Sequence, residues 1–132
     1  MSNHRIPVRI YYEDTDFSGN VYHAAYLKFF ERGRTEFLRD LGVHHSELAE
    51  QGIAFAVRSM EIDFAAAARI DDLLTIQTAV AASSGVRLVL EQSALRGETV
   101  IASARVTVVA IKMSGGPARL PADLRALLVP GA

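Results

Sequence analysis

Between Ala24 and Leu41 the apolar residues recur at steps of three and four, whereas along most of the remaining chain they alternate. The first period demands a helix with one buried stripe; the second demands strands. Tyr26, Phe29, Phe30, Gly33, Phe37 and Leu41 form the stripe, with Lys28, Arg32, Glu36 and Arg39 largely opposite. The spacing predicts an amphipathic helix of roughly 18 residues, about 27 Å long. Gly42 supplies a C-terminal stop. Gly33, in mid-helix, costs about 1 kcal/mol relative to Ala. Close packing of the helix on a sheet is the expected compensation.

Residues 5–12 read as a strand, with Ile6, Val8, Ile10 and Tyr12 on one face. Pro7 cannot donate to a ladder and so suggests an edge. A short helix is expected at Ser46–Gln51, and another from Pro121. Residues 53–64 form a long strand whose alternation slips near Val57–Ser59, a sign of a bulge. Leu74, Ile76, Thr78 and Val80 form one face of a third strand, and Leu88, Leu90, Gln92 and Ala94 one face of a fourth. Turns are expected at Ser83-Ser84-Gly85 and Arg96-Gly97-Glu98. In the fifth strand, residues 99–111, Val100, Ala102, Ala104, Val106, Val108 and Ala110 line a small-residue face suited to a helix. Ile101, Val109 and Ile111 lie on the other face, where their bulk suggests a covering subunit. The order is β, long α, then four strands in meander. That is an α+β architecture with about five antiparallel strands.

Length and composition narrow the rest. With 132 residues and 50% hydrophobic content, the chain is expected to be one domain, 1–132, with its own core. It has no cysteine, which excludes disulfides and thiolate chemistry. The formal net charge is −1, and basic residues are scattered, which argues against nucleic-acid binding. No apolar run approaches a membrane span, and residues 1–7 carry no apolar leader segment. A cytoplasmic protein without membrane insertion is the expectation.

Chemistry concentrates in residues 11–23, where Glu13, Asp14 and Asp16 crowd a loop that runs into the helix. Asp in such a loop commonly serves turn and cap chemistry. Three acids within four residues exceed what a turn needs, and they sit beside the unsatisfied N–H groups of a helix start. Carboxylate and oxyanion donors side by side can cleave an acyl group. The Asp14-Thr15-Asp16-Phe17-Ser18-Gly19 run opens like a calcium loop, but the twelfth position is Ala25 where a Glu is needed. His44 and His45 are read as surface residues and His4 as a disordered terminal one. Glu31 and Glu36 are read as solvated helix-face acids. No Ser-His-Asp signature, P-loop or Gly-rich dinucleotide motif is present.

Tyr12-Glu13-Asp14-Thr15-Asp16, Gly19, Val21-Tyr22-His23, Tyr26 and Phe29-Phe30-Glu31-Arg32, with Arg34-Thr35-Glu36, resemble the signature of the 4-hydroxybenzoyl-CoA thioesterase family, and its Tol-Pal-associated acyl-CoA branch in particular. Asp63-Phe64, Ala68-Arg69-Ile70-Asp71-Asp72-Leu73-Leu74, Gln92 and, weakly, Leu120-Pro121 extend the likeness over nearly the whole chain. The resemblance implies a hotdog fold, homodimers paired into homotetramers, and active sites at the dimer interface. It implies hydrolysis of small or medium acyl- or aroyl-CoA, with Asp16 as nucleophile or general base. The backbone N–H of His23 would hold the oxyanion. Tyr22 and Tyr26 would contact substrate; Arg87, at a position that departs from the branch pattern, is a separate candidate for the CoA phosphates. Coenzyme A is part of the substrate, and neither metal nor redox cofactor is required. Val86-Arg87 and Ala66-Ala67 depart from the branch pattern. Two rivals are a hotdog enoyl-thioester hydratase or dehydratase using His23, and a non-catalytic acyl-thioester binding module.

Overall fold

The computed structural model describes residues 4–130. Met1–Asn3, part of the segment read for a leader, lie outside them. The elements follow the expected order: β1 (His4–Arg9), α1 (Ala25–Asp40), α2 (His45–Glu50), β2 (Ile53–Phe64), β3 (Leu73–Ser83), β4 (Arg87–Arg96), β5 (Thr99–Lys112) and α3 (Ala122–Leu127). The five strands form one antiparallel sheet in the order β1-β3-β4-β5-β2. Pro7 lies in an edge strand, as its missing N–H requires. The other edge is β2, whose 12 residues present, on the side away from β5, a long row of backbone groups with no strand partner among the described residues.

The sheet's inner face carries Leu74, Ile76, Leu88, Leu90, Ala94, Val106 and Val108, all buried. Facing it, α1 buries Ala25, Tyr26, Phe29, Phe30, Gly33, Arg34, Phe37 and Leu38. Phe29 and Phe30 are wholly enclosed, and each contributes about 1.5–3 kcal/mol by leaving water. The helix crosses β1, β3 and β4 rather than chiefly β5. It follows β1 in the chain, and β1 joins the sheet beside β3, which draws the helix to that half. Gly33 makes this approach possible. A Cβ there would stand 2.7 Å from Ile76 Cγ2, 3.0 Å from Gln92 Nε2 and 3.1 Å from Thr78 Oγ1. Beneath it Gln92 Nε2 donates to Phe30 O and to Thr78 Oγ1, both at 2.9 Å.

Further expectations change. The four strands after the helix do not run as a simple meander: β3, β4 and β5 pair in sequence, but β2 crosses to the far edge and pairs with β5 instead of β3. The first strand ends at Arg9, and Tyr12 opens a 3₁₀ turn, Tyr12–Asp14, where it is 83% exposed instead of joining the core row. The Asp14 carboxylate accepts from Tyr11 N at 2.8 Å and so curls the chain out of the strand. In β5 the expected faces invert at one end: Ile101 is fully buried and Val100 is 44% exposed. Ala94 pairs with Ala102 but Leu95 with Val100, so Ile101 is the extra residue of a bulge and the alternation slips by one. The outer face thus exchanges Ile101 for an exposed Val100 and keeps Val109 and Ile111, both half-buried, while Arg105 Nη1 donates to Glu91 Oε1 at 2.7 Å. Finally, His4 is an ordered part of β1. Its Nε2 lies 2.7 Å from Asp40 Oδ2, and its ring packs edge-on against Phe37. The bulge expected near Val57–Ser59 is present, with Arg58 as the extra residue.

Candidate active site

The loop between β1 and α1 is tied down at both ends. Val21 N donates to Ala68 O at 2.8 Å, and Thr15 bridges Val21 across the loop mouth. Its three acids divide their work. Asp14 serves the turn, as general Asp chemistry predicts, and its carbonyl accepts from Tyr22 N at 2.8 Å. Glu13 is exposed. Asp16 Oδ1 accepts from Ser18 N at 2.8 Å and from the Ser18 hydroxyl at 2.5 Å. The bonds from the Ser18 hydroxyl and backbone hold the Asp16 carboxyl below the usual carboxylate range against some desolvation, with a smaller lowering from His23. The group is ionised at neutral pH and open to solvent.

The helix start is built without a side-chain cap, because Ala24 occupies the capping position and offers none. Ala25, Tyr26 and Leu27 donate their N–H groups to the carbonyls of Tyr22, His23 and Ala24. Among the described residues, the N–H groups of His23 and Ala24 donate to nothing. They stand at the positive end of the helix dipole, with no acid in the first turn to neutralise it. The N–H of Ala24, which the sequence did not mark out, shares this unpaired state with that of His23. The absence of Ser, Thr, Asp or Asn just before Ala25 was the available signal.

An aromatic wall stands beside these donors. His23 meets Tyr22 edge-on at 4.7 Å and Phe64, at the end of β2, at 6.3 Å. Phe64 in turn contacts Tyr26 at 5.6 Å. The end of β2 is fastened by Ala65 N and Ala66 N, which both donate to Ile101 O. The buried bulge residue thus anchors the strand end that carries Phe64. Arg96 Nη1 braces the same end of the sheet through Ala67 O and Asp72 Oδ2, both at 3.0 Å.

The remaining site candidates separate. Tyr22 is half-exposed at the site. Tyr26 is 3% exposed, in ring contact with Phe29, Phe30 and Phe64, and desolvation raises its pKa. It backs the wall from inside the core and within the protomer is not a surface for substrate. Arg87 starts β4 beside Val109, at the opposite end of the sheet from the Asp16 loop. One protomer therefore does not bring Arg87 and Asp16 together. Glu31 lies about 10 Å along α1 from Ala24 and lines the groove between α1 and β2.

Residues 11–128 match the model of the thioesterase-like superfamily. The chain belongs to that family. Acyl-CoA thioesterase YbgC of Haemophilus influenzae is 43% identical over 122 residues, covering 91% of this chain and 90% of that protein. Acyl-CoA thioester hydrolase YbgC of Escherichia coli O157:H7 is 45% identical over 108 residues, covering 81% of each. The crystal structure of a probable thioesterase from Bartonella henselae superposes with TM-score 0.87 at 48% identity, covering 91% of this chain and 100% of that one. The fold is the thioesterase hotdog: one long helix against a curved antiparallel sheet. Among the described residues, no helix is long and apolar enough to cross a membrane.

Proposed function

We propose that this chain hydrolyses acyl-CoA thioesters with Asp16 as its catalytic carboxylate and the His23 and Ala24 N–H groups as its oxyanion hole. The observation that carries the reading is the pairing of an ionised, solvent-facing carboxylate with two unsatisfied donors at an uncapped helix start. The acyl-CoA thioesterases at 43–45% identity supply the substrate class.

The chemistry follows from the charges. The thioester carbonyl oxygen becomes negative as the tetrahedral intermediate forms, and the helix-start donors stabilise it where it develops. Asp16 either attacks the carbonyl carbon or takes a proton from an attacking water. In both routes the C–S bond breaks and CoA leaves as a thiolate, a good leaving group that needs no dedicated acid. A direct attack leaves an acyl–aspartyl anhydride, which water then cleaves. No residue here is assigned to a metal or redox cofactor.

The same reading includes a homodimer paired into a homotetramer, in the cytoplasm. The support for the assembly is the long open edge of β2 together with the exposed Phe64, Phe17 and Tyr12 near the site and Val57 farther along β2. Such an edge and such apolar exposure call for cover. A second copy on β2 would complete the groove that one protomer leaves open, and is the route by which Arg87 of one copy could approach the site of another.

Free-thiol release from a panel of acyl- and aroyl-CoAs tests the assignment. Asp16→Asn should cost roughly 10²–10⁴ in kcat. Turnover that survives this change removes Asp16 from the role. Single-turnover reaction in heavy-oxygen water then separates the two routes, since only direct attack transfers the label into Asp16.

A further inference from the structure

We propose that Arg34 receives a carboxylate at the far end of the acyl group, so that the preferred substrates are CoA thioesters of acids bearing a second, terminal carboxylate. This deepens the thioesterase reading and rests on it.

Arg34 is only 9% exposed, yet among the described residues it forms no ion pair with a carboxylate. Its one hydrogen bond runs from Nη1 to Gln92 Oε1 at 3.0 Å, and Gln92 is itself held by Phe30 O and Thr78. A guanidinium carries five N–H donors and keeps its charge in proteins. The unused Arg34 nitrogens are not fully buried, so they can be reached, and a carboxylate that accepts two of their donors is the group best matched to a guanidinium. Glu31, one turn earlier, favours the charged form through space but makes no contact within ion-pair distance.

Arg34 borders two adjoining cavities, which also share Glu31 and Val57. The smaller, about 230 Å³, lies between α1 and this protomer's own β2, β4 and β5, with Phe55, Leu88, Leu90 and Val108 as apolar wall. The larger, about 560 Å³, extends along α1 to Leu27 in the first turn. From Ala24 to Arg34 the helix advances roughly 15 Å, and helix side chains lean back toward the N-terminus. A medium-length acyl chain whose carbonyl sits at the helix start can therefore run along the groove and place its far end at Arg34. The smaller cavity is walled by one protomer's helix and sheet, so it fits a slender chain better than the flat surface of a second copy. The groove is not wholly apolar, since Glu31 lines both cavities and Lys28 and Arg32 the larger one; its apolar wall tolerates methylenes, and Arg34 is the cation at its inner end that recognises the group closing the chain.

The test compares kcat/KM for CoA monothioesters of dicarboxylic acids with straight-chain acyl-CoAs of equal length, in wild type, Arg34→Met and Arg34→Lys. Wild type should favour the acid-ended ester by about tenfold or more, because a donor left unpaired under the bound chain rejects the analogue. Arg34→Met should abolish or reverse that ratio, and Arg34→Lys should keep part of it. Equal rates in wild type, or a ratio that survives Arg34→Met, overturns the proposal. So does an unchanged ratio accompanied by loss of the dimer, which would assign the missing carboxylate to a second copy. Should Arg34→Met fail to fold, inhibition of wild type by free dicarboxylates decides the point: they must exceed monocarboxylates of equal length. If wild type cleaves no ester, the thioesterase reading fails, and calorimetric binding of free dicarboxylates still reads the Arg34 site alone.

Discussion

Replacing Gly33 by alanine adds one methyl group at the closest approach of α1 to the sheet. Elsewhere in an exposed helix this change would stabilise by about 1 kcal/mol. Here the new Cβ would lie 2.7 Å from Ile76 Cγ2, a distance that forces the helix or the sheet to move. Overpacking of a dense core costs roughly 1–3 kcal/mol. The Gln92 amide, 3.0 Å from the same position, is the second casualty, and losing one of its hydrogen bonds costs about 1 kcal/mol more. The net expectation is a destabilisation of about 2 kcal/mol, or a fall in Tm of roughly 6–10 °C for a domain of this size. Thermal unfolding by circular dichroism reads the loss, and thiol release reads its reach, since lifting α1 also displaces the His23 and Ala24 donors. Ile76→Leu removes the offending Cγ2 and should relieve part of the strain. The double mutant should therefore be more stable than the sum of singles by at least about 0.5 kcal/mol. An unchanged or raised Tm in Gly33→Ala would refute the packing argument, as would strict additivity with Ile76→Leu.

Two further outcomes follow from the site. Asp16 must be ionised to act, and the Ser18 hydroxyl is the first cause of its lowered pKa. The acid limb of kcat/KM should accordingly lie below the ordinary carboxylate range, and Ser18→Ala should move it to higher pH; a limb that stays put would detach the rate from Asp16. Val57, half-exposed on the open β2 edge, should tolerate lysine within the protomer but not within a dimer. Val57→Lys is expected to give a monomer by sedimentation and to lose turnover with it, whereas a fully active monomer would end the shared-site reading.

What the chain determined by itself was local. The three-and-four period of Tyr26, Phe29, Phe30, Gly33 and Phe37 is a property of one helix, and the helix forms as that period requires. Alternation in β3 and β4 names their buried faces for the same reason, because side chains change side at every residue of a strand. The slip at Val57–Ser59 was legible because both flanks carry clear patterns. The acid-rich loop just ahead of the helix was legible as a place, and the structure puts Asp16 there as an exposed carboxylate. The tertiary structure decided whatever depended on a partner distant in sequence. Ile101 goes inward only because β4 pairs Leu95 with Val100, and apolar residues at both 100 and 101 leave the inward one unnamed. Tyr12 leaves the strand because Asp14 captures Tyr11 N, a choice between ladder and turn that alternation cannot weigh. Arg87 and Asp16 fall at opposite ends of the sheet through strand direction and register. Arg34 reads on the helix as one more polar residue, and only the closure of α1 over Gln92 buries it. Periodicity is written in neighbouring side chains; register, burial and charge pairing are set when the backbone finds its distant hydrogen-bond partners.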